Sequence, residues 1–306
     1  MEYLQVILPE RYFPLKYHIC EVVVMTMLIT DLDNTLYDWI TFFSEAFEAM
    51  VDELVSLLEI DKEIILDEFK EIHQRYGNTE QPFAILELSS VKAHFGDLPR
   101  SQLKAHLDKP LYAFNSARKR SLKLYHTVEE TLAELVNQGV IIVGHTEAIK
   151  ENSYYRLKRL GIDKYFSTLY SLDGDYLGHP DLGRNEELRA PKGFVQQVPK
   201  EERKPNPALL IDICSRQKKL PKETFYVGDS LTRDIMMANH AGVSSIWAKY
   251  GTEYEKDRWK ILAKVSHWTP ADILREEKLR KDCENVVPNY TIEKFGEILE
   301  IMNLKK

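Results

Sequence analysis

The hydrophobic pattern of the chain changes period several times, and those changes mark out its architecture. The run Val22 to Ile29 is apolar and rich in β-branched residues, as expected of a strand buried on both faces. From Asp38 the spacing switches. Ile40, Phe43, Phe47, Met50 or Val51, Leu54 and Leu57 or Leu58 recur every three or four residues, which predicts an amphipathic helix with Asp38 as its N-cap. Ile65, Phe69, Ile72 and Tyr76 repeat that stripe, and Gly77 ends it. Gln81 to Phe95 and Arg100 to Tyr125 also read as helical, with breaks at Gly96, Pro99 and Pro110.

Beyond residue 125 the two periods alternate. Thr127-Val128-Glu129-Glu130 carries a capping-box pattern ahead of Leu132 and Leu135. Val140 to Gly144 reads as a strand, Lys150 to Leu160 as a helix stopped by Gly161, and Phe166 to Leu172 as a weaker strand. Residues 173–203 lack a period and read as a long loop. Pro207 sits in the first turn of a helix through Cys214. A strand at Thr224 to Val227, a helix at Leu231 to His240 and a strand at Val243 to Ala248 follow. The tail is mixed, with an amphipathic helix predicted over Ile292 to Met302.

This βαβα alternation predicts an α/β fold: a doubly wound parallel sheet, a Rossmann-like three-layer core. The helical stretch 38–125 is far longer than the dozen or so residues a crossover needs, so it predicts a smaller α-helical domain inserted in the core. The core domain then comprises 1–37 and 126–306, with 1–21 peripheral to it.

Composition narrows the function classes. The chain has 306 residues, 44% hydrophobic and 29% charged, which suffices for a sizeable core. A net charge of -7 argues against a nucleic-acid polymer or an anionic membrane as partner. No apolar run approaches the ~20 residues that span a bilayer, and no signal-peptide pattern is present. Cys20, Cys214 and Cys283 show no metal-ligand spacing and fit a reducing compartment, so the expected location is cytoplasmic.

The candidate chemistry lies where predicted strands end. Asp31-Leu32-Asp33-Asn34-Thr35 places two carboxylates at the carboxyl end of the first strand, where open α/β sheets bind ligands. Carboxylates this close repel unless a cation or a shared proton intervenes, which points to metal-assisted acid–base chemistry. Taken singly, each element has an ordinary explanation: a polar turn at Asp31, a helix cap at Thr146, a solvated lysine at Lys204, a cap and a surface charge in Gly228-Asp229-Ser230 and Asp234.

In this order, the four elements resemble the motifs of the haloacid dehalogenase-like hydrolases, most of which are phosphatases, over about Met27 to Ala248. Asp31-x-Asp33-x-Thr35 matches the first motif, Thr146 the second, Lys204-Pro205 the third and Gly228-Asp229 with Asp234 the fourth. The helical insertion falls where many members carry a cap after the first motif. Glu147 departs from the pattern, since many members have Asn there; its place beside the second motif puts it among the phosphate-binding positions together with Thr146 and Lys204.

The resemblance implies a Mg²⁺-dependent phosphatase acting on a small phosphorylated metabolite through an aspartyl-phosphate. Asp31 is then the nucleophile and Asp33 the general acid and base. Thr146 and Lys204 hold the phosphoryl group, and Asp31, Asp33 (through its carbonyl), Asp229 and Asp234 surround the metal. The alternatives are a phosphomutase or a haloacid dehalogenase of the same family, the latter disfavoured by Asp33, or an inert binding protein on the same fold. No residue names the ester, and the oligomeric state has no sequence signal.

Overall fold

The structure, a computed structural model, describes residues 26–178 and 189–303. The predicted peripheral segment 1–21 and the first residues of the leading strand, 22–25, lie outside these. A single seven-stranded sheet forms in the order β4-β3-β2-β1-β5-β6-β7, every neighbouring pair parallel. The strands are β1 (Met27–Thr30), β2 (Ile141–Ile149), β3 (Thr168–Leu172), β4 (Val195–Val198), β5 (Thr224–Gly228), β6 (Ser244–Ala248) and β7 (Tyr290–Ile292).

β1 is the switch point of this order: the chain builds outward from it first to one side, then to the other. Its residues alternate between two cores, as the period of a strand requires. Leu28 faces Val128, Leu132 and Leu135 of α6 (Val128–Asn137) and Leu157 of α7 (Lys150–Leu160). Met27 and Ile29 face Leu210 and Ile213 of α8 (Pro207–Arg216) and Met237 and Ala238 of α9 (Met236–His240). Helices therefore cover both faces, and full burial of each such side chain is worth about 1.5–3 kcal/mol.

A third cluster belongs to the helical insertion: α1 (Trp39–Leu58), α2 (Lys62–Tyr76), α3 (Ser89–Phe95), α4 (Arg100–His106) and α5 (Asp108–Ser121). Phe47, Phe69, Ile85 and Leu103 lie at its centre. Leu262 and Val265 of α10 (Lys256–Val265), from the stretch grouped by sequence with the core, join the same cluster. The Asp38 side chain accepts from the Thr41 amide at 2.9 Å, and Gly77 closes α2 in the left-handed conformation.

Several predicted elements differ. The capping box at Thr127 does not form. Thr127 has φ 70°, which turns its hydroxyl away from the helix, and that hydroxyl instead accepts from the Gly296 amide at 2.9 Å. The loop 173–203 contains β4, whose Val-Gln-Gln-Val sequence lacks alternation because it lies at the sheet edge. Ile292 to Met302 is not one helix. Ile292 ends β7, a 3₁₀ turn spans Phe295–Glu297, and α12 is only Ile298–Ile301. All of Ile292, Phe295, Ile298 and Met302 are buried, so the stripe is real but its period was misleading. Pro82–Leu86 is a 3₁₀ turn separate from α3, and Pro110 lies in the first turn of α5 rather than at a break. The Leu231 to His240 helix opens with a π-helical turn over Leu231–Ile235.

Candidate active site

Asp31 continues the ladder one residue past β1, its amide donating to the Val227 carbonyl at 2.9 Å. The chain then turns through Asn34, which adopts φ 57°. The Asn34 side-chain oxygen accepts from the Trp39 amide at 3.1 Å, tying the turn to the start of α1. Tyr250 donates to the Thr35 carbonyl at 2.6 Å. Gly251 packs so closely that a Cβ there would lie 1.9 Å from the Asn34 carbonyl oxygen. The loop that presents Asp31 is thus clamped from several sides.

Lys204, between the long loop and α8, reaches the end of β1. Its ammonium donates to Asp31 Oδ1 at 2.5 Å and to Asp234 Oδ1 at 2.8 Å, and is nearly inaccessible. Asp234 also accepts from the Tyr226 hydroxyl at 3.1 Å and, through Oδ2, from the Ser230 amide at 3.1 Å. Thr35 donates to Asp31 Oδ2 at 3.3 Å. Asp229 completes the group: one carboxylate oxygen each from Asp31, Asp229 and Asp234 lie within 4.8 Å of one another.

Burial pushes the Asp31 carboxyl up to about 7; Lys204 opposes this, and the charges of Asp234 and Asp33 add to it. Asp229 is held well above the usual carboxylate range by burial and then by Asp31 and Asp234. Burial works against the charge on Lys204, yet Asp234 and Asp31 outweigh it and hold its proton well above the ordinary range. Burial, then Lys204, keeps His145 neutral behind the site. Three carboxylates against one ammonium leave excess negative charge among hard oxygen donors, which is the donor set that Mg²⁺ prefers.

Thr146 is buried near the carboxyl end of β2, beside β1. Its hydroxyl oxygen accepts from the Ala148 amide at 3.1 Å, which leaves the hydroxyl proton free to donate elsewhere. β2 runs on to Ile149, so Thr146 lies within a strand rather than capping a helix. Glu147 is taken by Arg233 at 3.3 Å, and Arg233 also bridges to Glu276 at 2.9 Å. Of the four aspartates predicted around the metal, Asp33 is the one whose side chain does not join the cluster. It turns to Tyr37 and Arg156 instead.

Sequence reasoning missed Tyr226, Arg233, Gly251 and Arg156. It also missed Arg275, which donates to the Lys204 carbonyl at 2.5 Å. Arg156 did leave a signal. Ser153, Arg156, Leu157 and Leu160 share the helical spacing of the inner stripe of α7, and a charge in such a stripe marks a buried partner.

Comparison with known proteins places the chain in a family. The model of the haloacid dehalogenase-like hydrolases matches residues 25–242, and the chain belongs to that family. It is 26% identical over 227 residues to a glyceraldehyde 3-phosphate phosphatase of Methanopyrus kandleri, covering 73% of this chain and 84% of the relative. It is 25% identical over 234 residues to a phosphoglycolate phosphatase of Nitrosococcus oceani, covering 76% and 87% respectively. Among solved structures, a 2-haloacid dehalogenase from Pseudomonas syringae superposes with a TM-score of 0.54 at 17% identity, over 91% of this chain and 99% of that one. That likeness is one of fold alone.

Proposed function

We propose that this hydrolase is a Mg²⁺-dependent phosphatase that cleaves a small phosphomonoester through an aspartyl-phosphate on Asp31. The observation that carries the reading is the buried Lys204 ammonium bridging Asp31 and Asp234, with Asp229 alongside. It holds a nucleophilic carboxylate in place and leaves room in the charge balance for one more cation. Relatives named for glyceraldehyde 3-phosphate and phosphoglycolate support a short phosphorylated metabolite as substrate.

The chain's own residues account for each step. A carboxylate oxygen of Asp31 attacks phosphorus as the ester P–O bond breaks, and Asp33 gives its proton to the departing oxygen. Asp33 then takes a proton from water, which attacks phosphorus, releases phosphate and restores Asp31. The Thr146 hydroxyl donates to a phosphoryl oxygen, while Lys204 balances charge on both nucleophile and phosphoryl group. Glu147 stands beside the phosphate position, and its pairing with Arg233 offsets the negative charge it brings there. Asp31, Asp229 and the Asp33 carbonyl would hold the metal. Asp234, already accepting three hydrogen bonds, supports it through Lys204 and the Ser230 turn. When bound, Mg²⁺ supplies charge neutralisation for these carboxylates and for the phosphoryl oxygens. Residues 38–125 are the cap in this reading, and substrate choice rests with them.

The test is phosphate release from a panel including glyceraldehyde 3-phosphate, 2-phosphoglycolate, a sugar phosphate and a nucleoside monophosphate. Release should require Mg²⁺ and stop with EDTA. Release from no member of the panel, or release indifferent to EDTA, overturns the reading.

A further inference from the structure

Arg156 is the largest fully buried side chain in the molecule's described part, and the reaction outlined above does not use it. It lies on α7, in the core layer. Its Nε donates to the Tyr37 hydroxyl at 2.8 Å. Its Nη2 lies 3.1 Å from Asp33 Oδ1 and 3.2 Å from Oδ2. Its Nη1 pairs with the carboxylate of Glu80. The Tyr37 hydroxyl in turn donates to Asp33 Oδ1 at 2.7 Å. Both oxygens of Asp33 are therefore held, one of them twice.

The partners come from different parts of the fold. Tyr37 sits where the chain leaves the core for the helical insertion, bridged along the backbone to Asp33 on one side and to Leu124 on the returning strand of chain. Glu80 lies in the insertion itself, between α2 and the turn at Pro82–Leu86. Asn152, one helical turn before Arg156 on α7, donates to the Glu80 carbonyl at 3.1 Å. One face of α7 thus grips Glu80 at both its side chain and its backbone.

A buried charge of this kind is expensive and is poor value as a stabilising device. Apolar residues of similar volume often serve a helix stripe as well or better. What Arg156 supplies that an apolar residue cannot is a fixed fork of donors. An acid or base must stand within hydrogen-bond reach of the proton it moves, and small errors of placement are costly.

We propose that Arg156, acting with Tyr37, is the positioning residue for Asp33, and that Glu80 makes that positioning depend on where the helical insertion sits. The inference rests on the phosphatase reading. While Glu80 is docked, the guanidinium is anchored at both ends and Asp33 is aimed. When the insertion lifts, one anchor is lost and Asp33 loses its fixed orientation.

The experiment separates the first half-reaction with two esters. p-Nitrophenolate leaves without a proton, whereas the alcohol of an alkyl phosphate needs one. Stopped flow reads the p-nitrophenolate burst; rapid quench reads phosphoenzyme formed from whichever alkyl phosphate of the panel wild type uses fastest. Tyr37→Phe keeps the ring and its packing and removes only the bridging hydroxyl. It should slow phosphoenzyme formation from the alkyl ester by about tenfold or more, and from p-nitrophenyl phosphate by less than about threefold. Arg156→Lys, which keeps the charge but loses the fork, should show the same selective loss if it folds. Glu80→Gln should give a smaller loss, about threefold, again confined to the alkyl ester. Equal losses on both esters mean a merely structural role and overturn the proposal, as does no loss in Tyr37→Phe. An unchanged ratio in Glu80→Gln overturns the part given to the insertion. A wild-type protein that releases phosphate from neither ester sinks the phosphatase reading along with this one; an active wild type with indifferent variants sinks this one alone.

Discussion

The two aspartates of Asp31-Leu32-Asp33 stand two residues apart and are claimed by two different buried cations. Asp31 belongs to Lys204, whose second carboxylate, Asp234, comes from the turn after β5. Asp33 belongs to Arg156, whose second carboxylate, Glu80, comes from the helical insertion. The first centre is assembled without the helical insertion, from the turns after β1 and β5 and the segment just before α8, with Tyr226 on β5 bracing Asp234. The second spans two regions of the fold. The difference teaches that Asp31, the proposed nucleophile, is held by the sheet domain alone, whereas Asp33, the proposed acid and base, is tied to the helical insertion as well. A reaction that must wait for its substrate to be enclosed can use such a division, because only one of the two groups needs to respond.

Removing the nucleophile is the largest break in this comparison. Asp31→Asn keeps the shape and one hydrogen bond to Lys204 but offers no carboxylate to phosphorus. Phosphate release should fall by more than about 10³-fold, with no phosphoenzyme trapped by acid quench. Wild-type turnover in this variant would remove Asp31 from its role. Next comes Lys204→Met, which takes away the cation and leaves Asp31 and Asp234 facing each other. Breaking a buried pair in this way costs about 3–5 kcal/mol. Urea denaturation should show it, and Mg²⁺ should raise the melting temperature of this variant more than that of wild type.

The Lys204 centre was legible in the sequence and the Arg156 centre was not, for a physical reason. Asp31, Lys204 and Asp229 each sit at a fixed place relative to a strand or a helix start, so the resemblance to the family's four ordered motifs picks them out, although each taken singly has an ordinary explanation. The partners of Asp33 are set by tertiary packing: Arg156 lies 123 residues away along the chain and Glu80 a further 76 back from Arg156. Only the charge in an apolar stripe hinted at Arg156. The sheet itself was readable from its apolar runs except at its edges, β4 and β7, where short strands bury too little to show a period. The role of Gly251 was invisible, because nothing in its neighbours announces that a distant carbonyl will press against it.

Gly228→Ala offers a finer probe of the core centre. A Cβ at this position would stand 2.4 Å from Cγ of Asp234, well inside contact distance. Asp234 is held on both oxygens and cannot swing aside without breaking its bond to Lys204 or to the Ser230 amide. The expected cost is about 1–3 kcal/mol, as for other overpacked sites, with a loss of phosphate release exceeding what the stability change explains. The Arg156 centre should be untouched, so the preference between alkyl and aryl esters should stay as in wild type. A shifted preference would show that the two centres are not independent.

The smallest effect concerns how the insertion is fastened, and here the two regions should respond to pH with opposite sign. His73 on α2 donates from Nδ1 to the Val265 carbonyl at 2.7 Å, and His267 contacts the Thr79 hydroxyl at 2.8 Å. Burial lowers both imidazoles from 6.5 to about 4. The unfolded chain therefore takes up these protons near pH 6.5 while the folded one does not until about pH 4. Stability from this clasp is whole above 6.5 and is lost as pH falls through that window. Asp31, raised from 3.8 to about 7, works the other way: its folded carboxyl accepts a proton first, so stability rises as pH falls below 7. Saturating Mg²⁺ should suppress the Asp31 contribution by favouring its ionised form. His73→Gln retains a donor for Val265 and removes one titrating group. Measured by urea denaturation in Mg²⁺, its stability difference from wild type should shift in favour of the variant by roughly 2 kcal/mol between pH 7 and pH 5. A difference that stays constant across that range would mean that His73 titrates alike in the folded and unfolded chain, and that the clasp does not answer to pH through this residue.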